Sequence, residues 1–375
     1  MSASAGGSAT PTAGAPASTG AASSAPPAAT ATSTPTPTAG AASGSATVTG
    51  TVASNLNVPW GVALLPGGDL LVNSRDTGVI QRVVPGTGKR TVAGTVPGVV
   101  STKSSEGETG LLGLALSPDF GSDRLIYVYF STATDNRIAK LTYTPSASAG
   151  HQLGRLDVIL KGIPRSIHHN GGRIAFGPDG MLYAGTGDAE NTALPQDKSS
   201  LGGKILRMTA DGKPAPGNPF GKSVVYTIGH RNVQGLAWDP SGNLWASELG
   251  DREADELNLI RAGRDYGWPA TQGRTSRAGY TSPVAQFGTE EDSPSGIAWV
   301  DGSIWMAALK GERLWRIPLD GTTLVAAPQS KLVSAHGRLR TVLAYDGGLL
   351  VTTSNTDGRI SPGSGDDKIL KVKVG

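Results

Sequence analysis

The chain has 375 residues, with 33 Lys and Arg against 30 Asp and Glu for a formal charge of +3, and no cysteine. The missing cysteine excludes disulfides, thiolate metal sites and cysteine nucleophiles. Acidic and basic residues are interleaved without a basic stripe, which argues against nucleic-acid binding. The sequence contains no run of about 18 apolar residues, so it predicts no membrane span.

The chain begins with a low-complexity segment. Residues 2–47 contain only Ala, Gly, Pro, Ser and Thr. Such a segment cannot bury enough apolar surface to offset the entropy of ordering it, so we predict a disordered linker over residues 1–47. Its composition also suits the stalk of an exported protein whose leader has been removed. We therefore expect an extracellular or cell-surface location, with a tether to lipid or to the cell wall.

Residues 48–375 form the second predicted domain, in which a strand–turn–strand pattern recurs six times. Its shared alanine falls at Ala63, Ala115, Ala175, Ala237, Ala298 and Ala344. The repeats follow one another at steps of 46 to 62 residues, and each also contains a later strand of alternating polarity. This arrangement is typical of propeller blades. We predict an all-β fold, a six-bladed β-propeller, in which a strand near residue 46 completes the last blade.

The pattern brings polar residues to one end of each hairpin. Two strands joined by a tight turn are antiparallel, so the first strand begins where the second one ends. Around one axis, these ends converge on one face, and loops on a closed scaffold commonly carry the functional site. The residues at these ends include Arg75, Glu108, His169, Asn170, Asp188, Arg231, Asn232, Glu248, Gly250, Asp251, Lys310, Arg338 and Arg340.

His169 and Asp188 flank the third hairpin, so their side chains can come within hydrogen-bond reach. A carboxylate that orients an imidazole makes it suitable as a general base. The alternative is a structural histidine that caps a loop. The convergence of the other polar residues favours the general base.

Four cations on the same rim, Arg231, Lys310, Arg338 and Arg340, would repel one another without an anion between them. Guanidinium groups suit carboxylates and phosphates, so we predict an anionic ligand with several carboxylates. The acidic segment 248–256 suits a hard cation such as Ca²⁺, and the alternative there is an ordinary acidic loop.

Several segments resemble the soluble PQQ-dependent aldose (glucose/sorbosone) dehydrogenases, and the resemblance covers roughly residues 50–375. The segments are GLLGLALSPDF at 110–120, HNGGRIAFGPDGMLYAGTGD at 169–188, HRNVQGLA at 230–237, DELNLI at 255–260 and YGWP at 266–269. The resemblance implies a propeller with PQQ over its central channel. It also implies that an aldose is oxidised at C1 to a lactone and that the electrons pass to a dye or quinone-type acceptor.

The resemblance also implies roles for individual residues. His169 would be the base, Asp188 would orient it, and Glu108 would contact the sugar where glucose-oxidising members carry glutamine. The residues that would contact PQQ are Arg231, Asn232, Lys310, Arg338 and Arg340. Arg231 would also stabilise negative charge that develops during catalysis. The carbonyls of Gly250 and Asp251 would hold a Ca²⁺ ion, and Glu256 with the Tyr266 carbonyl would hold a second, structural one.

Two alternatives to the sugar dehydrogenase remain. A metal-dependent lactonase propeller would need a carboxylate-rich metal centre on the axis. A non-catalytic propeller would use the same face to bind a carbohydrate or a protein, but it would not need the histidine, the aspartate and the cations together.

Overall fold

The computed structural model describes residues 39–102 and 107–375. Most of the predicted linker, 1–47, lies outside the described residues. The first strand begins at Ala46, so its first two residues belong to the segment predicted as linker. No helix in the described ranges has the length and apolar character needed to cross a bilayer.

The described residues form six antiparallel sheets, which we call blades 1 to 6 in chain order. Blade 1 contains β2 (Pro59–Leu64), β3 (Leu70–Ser74), β4 (Val79–Val83) and β5 (Arg90–Thr95). Blade 2 contains β6 (Leu111–Leu116), β7 (Leu125–Ser131), β8 (Asn136–Thr142) and β9 (Asp157–Ile163), with a short helix α1 (Phe120–Asp123) between its first two strands. Blade 3 contains β10 (Ile174–Phe176), β11 (Leu182–Gly185), β12 (Ile205–Met208) and β13 (Val225–Thr227).

The second half of the chain repeats this order. Blade 4 contains β14 (Val233–Trp238), β15 (Leu244–Glu248), β16 (Asp255–Ile260) and β17 (Ala285–Phe287). Blade 5 contains β18 (Pro294–Val300), β19 (Ser303–Ala308), β20 (Arg313–Asp320), β21 (Thr323–Leu324) and β22 (Gln329–Lys331). Blade 6 contains β23 (Leu339–Tyr345), β24 (Gly348–Thr353), β25 (Ile369–Val374) and, from the start of the chain, β1 (Ala46–Ala53).

The first strand of each blade contacts the first strand of the next. The contacts run through β2, β6, β10, β14, β18 and β23 and return to β2, so the six blades close into a ring. These six inner strands surround the axis. The predicted all-β, six-bladed propeller is confirmed.

The ring closes through the two ends of the folded chain. Strand β1 pairs antiparallel with β25, from Ala46 opposite Val374 to Ala53 opposite Ile369. The Ser45 backbone N–H also donates to the Gly375 carbonyl at 2.5 Å. The prediction that a strand near residue 46 completes the last blade is therefore confirmed.

Glycine near the start of the inner strands allows them to approach one another. A Cβ at Gly113 would lie 2.3 Å from the Gly172 carbonyl oxygen, and one at Gly235 would lie 2.4 Å from that of Ser295. Both distances are far below van der Waals contact, so a larger residue would push neighbouring blades apart. This close approach holds the loops at the beginnings of the inner strands around a common centre.

The apolar core lies between neighbouring blades. Between blades 5 and 6, for example, Trp305 and Leu314 pack in one cluster with Leu349 and Leu370. Leu370 is 1% exposed, and the next residue, Lys371, points outward and pairs with Asp346. Each blade therefore depends on its neighbour for burial of one face.

Replacing Leu370 with Ala should lower the free energy of unfolding by about 2–5 kcal/mol, because the cavity that it leaves is enclosed by two blades. Urea unfolding followed by tryptophan fluorescence measures this change. Lys371→Met in the same strand is the matched control and should change stability little. Equal losses in the two variants would show that β25 does not close this core.

Candidate active site

A cavity of about 490 Å³ lies at the end of the axis where the inner strands begin. Its polar lining consists of Arg75, Glu108, Ser293, Lys310, Arg338, Arg340 and Arg359. The structure thus brings together Glu108, Lys310, Arg338 and Arg340, which the sequence analysis selected from three different hairpins. We call this space the rim cavity.

The arginines at the floor of the rim cavity share one carboxylate. The Asp357 carboxylate lies 3.0 Å from Arg338 Nε and 3.7 Å from Arg340 Nη2, and its side chain is 1% exposed. Burial acts to raise the pKa of Asp357, but the two guanidinium groups outweigh it and hold that pKa below its usual value. Burial also lowers the pKa of Arg340, to about 9. Two cations on one anion leave the floor with an excess of positive charge.

Lys310 and Glu108 are closer to solvent. Lys310 is about half exposed and pairs with Glu290 at 2.6 Å. The Glu108 carboxylate accepts from the His169 backbone N–H at 3.1 Å and lies 3.5 Å from Arg359. Glu108 therefore connects the rim cavity to the loop that carries His169.

His169 and Asp188 form a hydrogen-bonded dyad. His169 Nδ1 lies 2.8 Å from Asp188 Oδ1, and the imidazole is 19% exposed while the carboxylate is 1% exposed. An ionised carboxylate only accepts hydrogen bonds, so Nδ1 carries the proton and Nε2 keeps a free lone pair. Asp188 is fixed in turn by Trp268 Nε1, which donates to Oδ2 at 2.8 Å, and by the Glu190 backbone N–H.

The two loops of the dyad are in direct contact. A Cβ at Gly187 would lie 1.8 Å from the His169 carbonyl oxygen, so this position requires glycine. The Asp188 backbone N–H donates to the Arg231 carbonyl at 2.7 Å, which connects the dyad to blade 4. His169 itself has a positive φ of 53°, which turns the chain sharply before the inner strand begins.

Arg231 and Asn232 lie beside the dyad, between blades 3 and 4. The Arg231 guanidinium donates to the Gly250 carbonyl and lies 3.1 Å from an Asp251 carboxylate oxygen. Asn232 Oδ1 accepts from the Gly171 backbone N–H at 2.9 Å. In the described part of the chain, Arg231 Nε and Asn232 Nδ2 are buried without a hydrogen-bond partner.

The predicted metal ligands lie beneath Arg231. Glu256 and Tyr266 line a cavity of about 10 Å³ together with Arg231, Glu248 and Thr271. The buried hydroxyl of Thr271 has no partner among the described residues. Asn258 Nδ2 donates to both Glu248 (3.3 Å) and Glu256 (2.9 Å). Burial, and then the charge of Glu248, raise the pKa of Glu256 to about 8.

The structure identifies two site residues that the sequence analysis did not select. Trp268 was seen only as part of the YGWP motif, and its contact with Asp188 joins residues 80 positions apart. Asp357 follows the second strand of the sixth hairpin. Polar residues at the same place in other hairpins, such as Asp188, were selected from the sequence, so the same signal could have found Asp357.

The fold and the site define a β-propeller enzyme with a histidine–aspartate dyad beside a cationic cavity. The family described as Glucose / Sorbosone dehydrogenase matches residues 56–362. The chain belongs to this family of oxidoreductases, which confirms the resemblance seen in its motifs.

Individual relatives agree with this assignment. Quinoprotein glucose dehydrogenase B of Acinetobacter calcoaceticus is 35% identical over 259 residues, which are 61% of this chain and only 54% of that protein. An aldose sugar dehydrogenase of Escherichia coli (strain K12) is 28% identical over 337 residues, covering 81% of this chain and 89% of that one. The structure of the PQQ-bound form of aldose sugar dehydrogenase from Streptomyces coelicolor is 57% identical with a TM-score of 0.88, covering 90% of this chain and 100% of that chain.

Replacing Asp357 with Asn should leave Arg338 and Arg340 without their shared charge and lower the free energy of unfolding by about 3–5 kcal/mol at pH 7. Because the folded-state pKa is lowered, the carboxylate stabilises the protein fully above its unfolded pKa of about 3.9. That contribution disappears as the pH falls through the lower folded value. The difference between the wild type and the variant should therefore shrink on acidification.

Urea unfolding at a series of pH values measures this difference. Asp346→Asn, at an exposed ion pair with Lys371, is the matched control and should have little effect at any pH. A difference that is small at pH 7, or that grows on acidification, would contradict the role given to Asp357.

Proposed function

We propose that the protein is a PQQ-dependent aldose dehydrogenase that oxidises sugars at C1 to lactones. The observation that carries the proposal is the His169–Asp188 dyad beside a cavity whose floor has more positive than negative charge. The names of the relatives from Acinetobacter, Escherichia and Streptomyces support the same reaction class.

The residues present fit a bound tricarboxylate such as PQQ. Arg338, Arg340 and Lys310 supply cations around the rim cavity, and guanidinium groups bind carboxylates through paired hydrogen bonds. Asn232 Nδ2 and Arg231 Nε are buried donors without partners in the described ranges. Neither residue lines the rim cavity, but an unsatisfied buried donor is costly, so ligand acceptors that reached these two atoms would stabilise both side chains.

PQQ, when bound, supplies an electrophilic quinone carbon that accepts the hydride from the sugar C1. The chain supplies the proton acceptor, because His169 Nε2 is free to take the proton of the C1 hydroxyl. Asp188 keeps the imidazole in the required tautomer and stabilises the imidazolium that forms. Trp268 and the Glu190 backbone hold that carboxylate in place. Arg231 lies close enough to offset negative charge that develops beside the dyad.

The donor set also fits calcium, which in this reaction would act as a Lewis acid that polarises the quinone. The Gly250 carbonyl already faces a cation, because it accepts from the Arg231 guanidinium. We propose the Gly250 and Asp251 carbonyls as ligands of one ion. The small cavity beside Glu256 and Tyr266 suits a second one, because two buried carboxylates meet there and a cation would relieve their repulsion.

Glu108 is proposed to contact the sugar, because it lies between the dyad loop and the rim cavity. Electrons are proposed to leave to a dye or quinone-type acceptor. The composition of residues 2–47 supports a location outside the cell or on its surface. The alternative, a metal-dependent lactonase, would need a carboxylate-rich metal centre on the axis, whereas the rim cavity is lined by Lys310, Arg338 and Arg340.

The reaction is tested by adding PQQ and Ca²⁺ to the purified protein and following the reduction of a dye with a panel of aldoses. His169→Gln should lower kcat by about 10²–10⁴ fold, because it removes the proton acceptor. PQQ binding, measured by the change in its absorbance, should stay within a fewfold of the wild type.

His151→Gln, at an exposed histidine, is the matched control and should keep full activity. An unchanged kcat in His169→Gln would reject the dyad as the base. Failure of the wild type to bind PQQ would favour the non-catalytic propeller, and lactone hydrolysis without PQQ would favour the lactonase.

Calcium should raise the melting temperature of the wild type, because binding to the folded state alone adds about 2.7 kcal/mol at 100 times the Kd. The ion proposed beside Glu256 and Tyr266 accounts for part of this rise in melting temperature. Glu256→Gln should remove most of that part. Burial and the charge of Glu248 raise the pKa of Glu256, so loss of its negative charge is not costly by itself. The amide keeps the Gly273 backbone N–H donor satisfied through its oxygen.

Differential scanning calorimetry with and without Ca²⁺ measures the rise. Asp346→Asn removes an exposed carboxylate as a control and should respond to Ca²⁺ as the wild type does. A full calcium response in Glu256→Gln would show that the cavity beside Tyr266 is not a calcium site.

A further inference from the structure

A second, larger cavity lies at the opposite end of the axis from the dyad. Its volume is about 600 Å³, and all six inner strands contribute to its wall near the hairpin turns. The repeat alanines line it: Ala63, Ala115, Ala175, Ala237, Ala298 and Ala344. We call it the far cavity. The site at the rim does not use it.

One side chain breaks the symmetry of this wall. Two positions before the repeat alanine, blades 1, 2, 4 and 5 carry glycine, and blade 6 carries Val342. Blade 3 carries Arg173 at the same position, and this residue is among those that line the far cavity. Blade 3 is thus the one blade of the six that carries a charged side chain at this position.

Arg173 crosses the axis and is held by three other blades. Its Nε donates to the Gln234 carbonyl at 2.8 Å, and its Nη2 donates to Thr341 Oγ1 at 3.2 Å. The guanidinium carbon also lies 4.2 Å from the centre of the Trp60 ring, a cation–π contact. These contacts fix the orientation of the guanidinium, and Nη1 has no hydrogen-bond partner among the described residues.

The charge of Arg173 is not neutralised by the protein. The side chain is 9% exposed, both of its acceptors are neutral, and no carboxylate in residues 39–102 or 107–375 lies within ion-pair distance. Burial, and then the charge of Arg340, lower the pKa of Arg173 to about 9. Asp239 also lines the cavity, but its oxygens accept from the backbone of Ser241 and Asn243 and from the Trp245 indole.

We propose that the far cavity binds a small amphipathic organic anion, an apolar chain or ring with one carboxylate. The carboxylate pairs with the Arg173 guanidinium through Nη1, and the apolar part lies against the alanine wall. Trp238 and Trp299, which are partly exposed at the mouth, add apolar contact area. A buried cation without an anion is costly, so a bound carboxylate removes an electrostatic penalty while its apolar part leaves water.

The proposal does not depend on the reaction at the rim. The Gln234 side chain accepts from Arg340 at 3.2 Å, and the Gln234 backbone accepts from Arg173. This residue and Trp60 therefore lie between the two guanidinium groups, and the ligand would reach the axis from the side away from the dyad. Binding at the far cavity can be measured without cofactor or sugar.

Isothermal titration calorimetry of the full chain with octanoate and with its neutral analogue octanamide tests the proposal. The wild type should bind octanoate at least tenfold more tightly than octanamide. Arg173→Met keeps most of the side-chain volume and removes the charge, so octanoate binding should weaken at least tenfold while octanamide binding changes little.

Two further variants locate the site. Ala344 is exposed at the mouth of the far cavity, and Ala344→Trp should weaken the binding of both probes without disturbing the core. Lys310→Met changes the rim cavity instead and should leave octanoate binding unchanged. Circular dichroism confirms that each variant is folded.

The proposal fails if the wild type does not prefer octanoate, or if Ala344→Trp binds it as the wild type does. Loss of octanoate binding in Lys310→Met with retention in Ala344→Trp would place the anion at the rim and also overturn it. If Arg173→Met does not fold, the preference for octanoate and the Ala344→Trp result still decide the question.

Discussion

Glycine near the start of the inner strands lets neighbouring blades approach closely, and the arrangement of the loops at the rim depends on this approach. At Gly113 and Gly235 the neighbouring strand leaves no room for a Cβ. The inner strands therefore approach one another closely, and the loops that precede them are brought within hydrogen-bond distance. The far cavity lies toward the other end of these strands, and Arg173 of blade 3 is among its lining residues.

Each of two buried carboxylates at the rim, Asp357 and Asp188, is shared by several donors. Asp357 serves two arginines, whereas Asp188 receives the imidazole of His169, the indole of Trp268 and a backbone N–H. The first arrangement leaves positive charge for a ligand. The second fixes a carboxylate so firmly that the histidine bonded to it has one defined tautomer. The two carboxylates thus differ in the charge of their partners: two cations meet at Asp357, whereas an imidazole, an indole and a backbone N–H meet at Asp188.

The repeat and the strand ends could be predicted because hairpin geometry follows from local sequence. Knowing which end of each hairpin faces the rim was enough to select Glu108, Lys310, Arg338 and Arg340, and the structure places all four around one cavity. Side-chain partners between blades could not be predicted this way. The Trp268 indole reaches Asp188 from a loop of another blade, and no local pattern encodes that distance.

Arg231 shows the same limit at closer range. Its position at the rim follows from the repeat, but its guanidinium turns toward the Gly250 carbonyl and Asp251 because burial and local acceptors determine its rotamer. The unpartnered Nε of Arg231 and Nδ2 of Asn232, among the described residues, depend on the positions of acceptors in neighbouring blades, which no local sequence pattern encodes.

The closure of blade 6 has a mechanical consequence. The N-terminal end of β1 lies beside the C-terminal end of β25, with Ser45 bonded to Gly375. A force that separates the two chain ends would load the β1–β25 hydrogen bonds one after another, from Ala46 toward Ala53, as a zipper opens. Such a force is opposed by one β1–β25 hydrogen bond at a time, and the contacts between the other blades do not share the load at first.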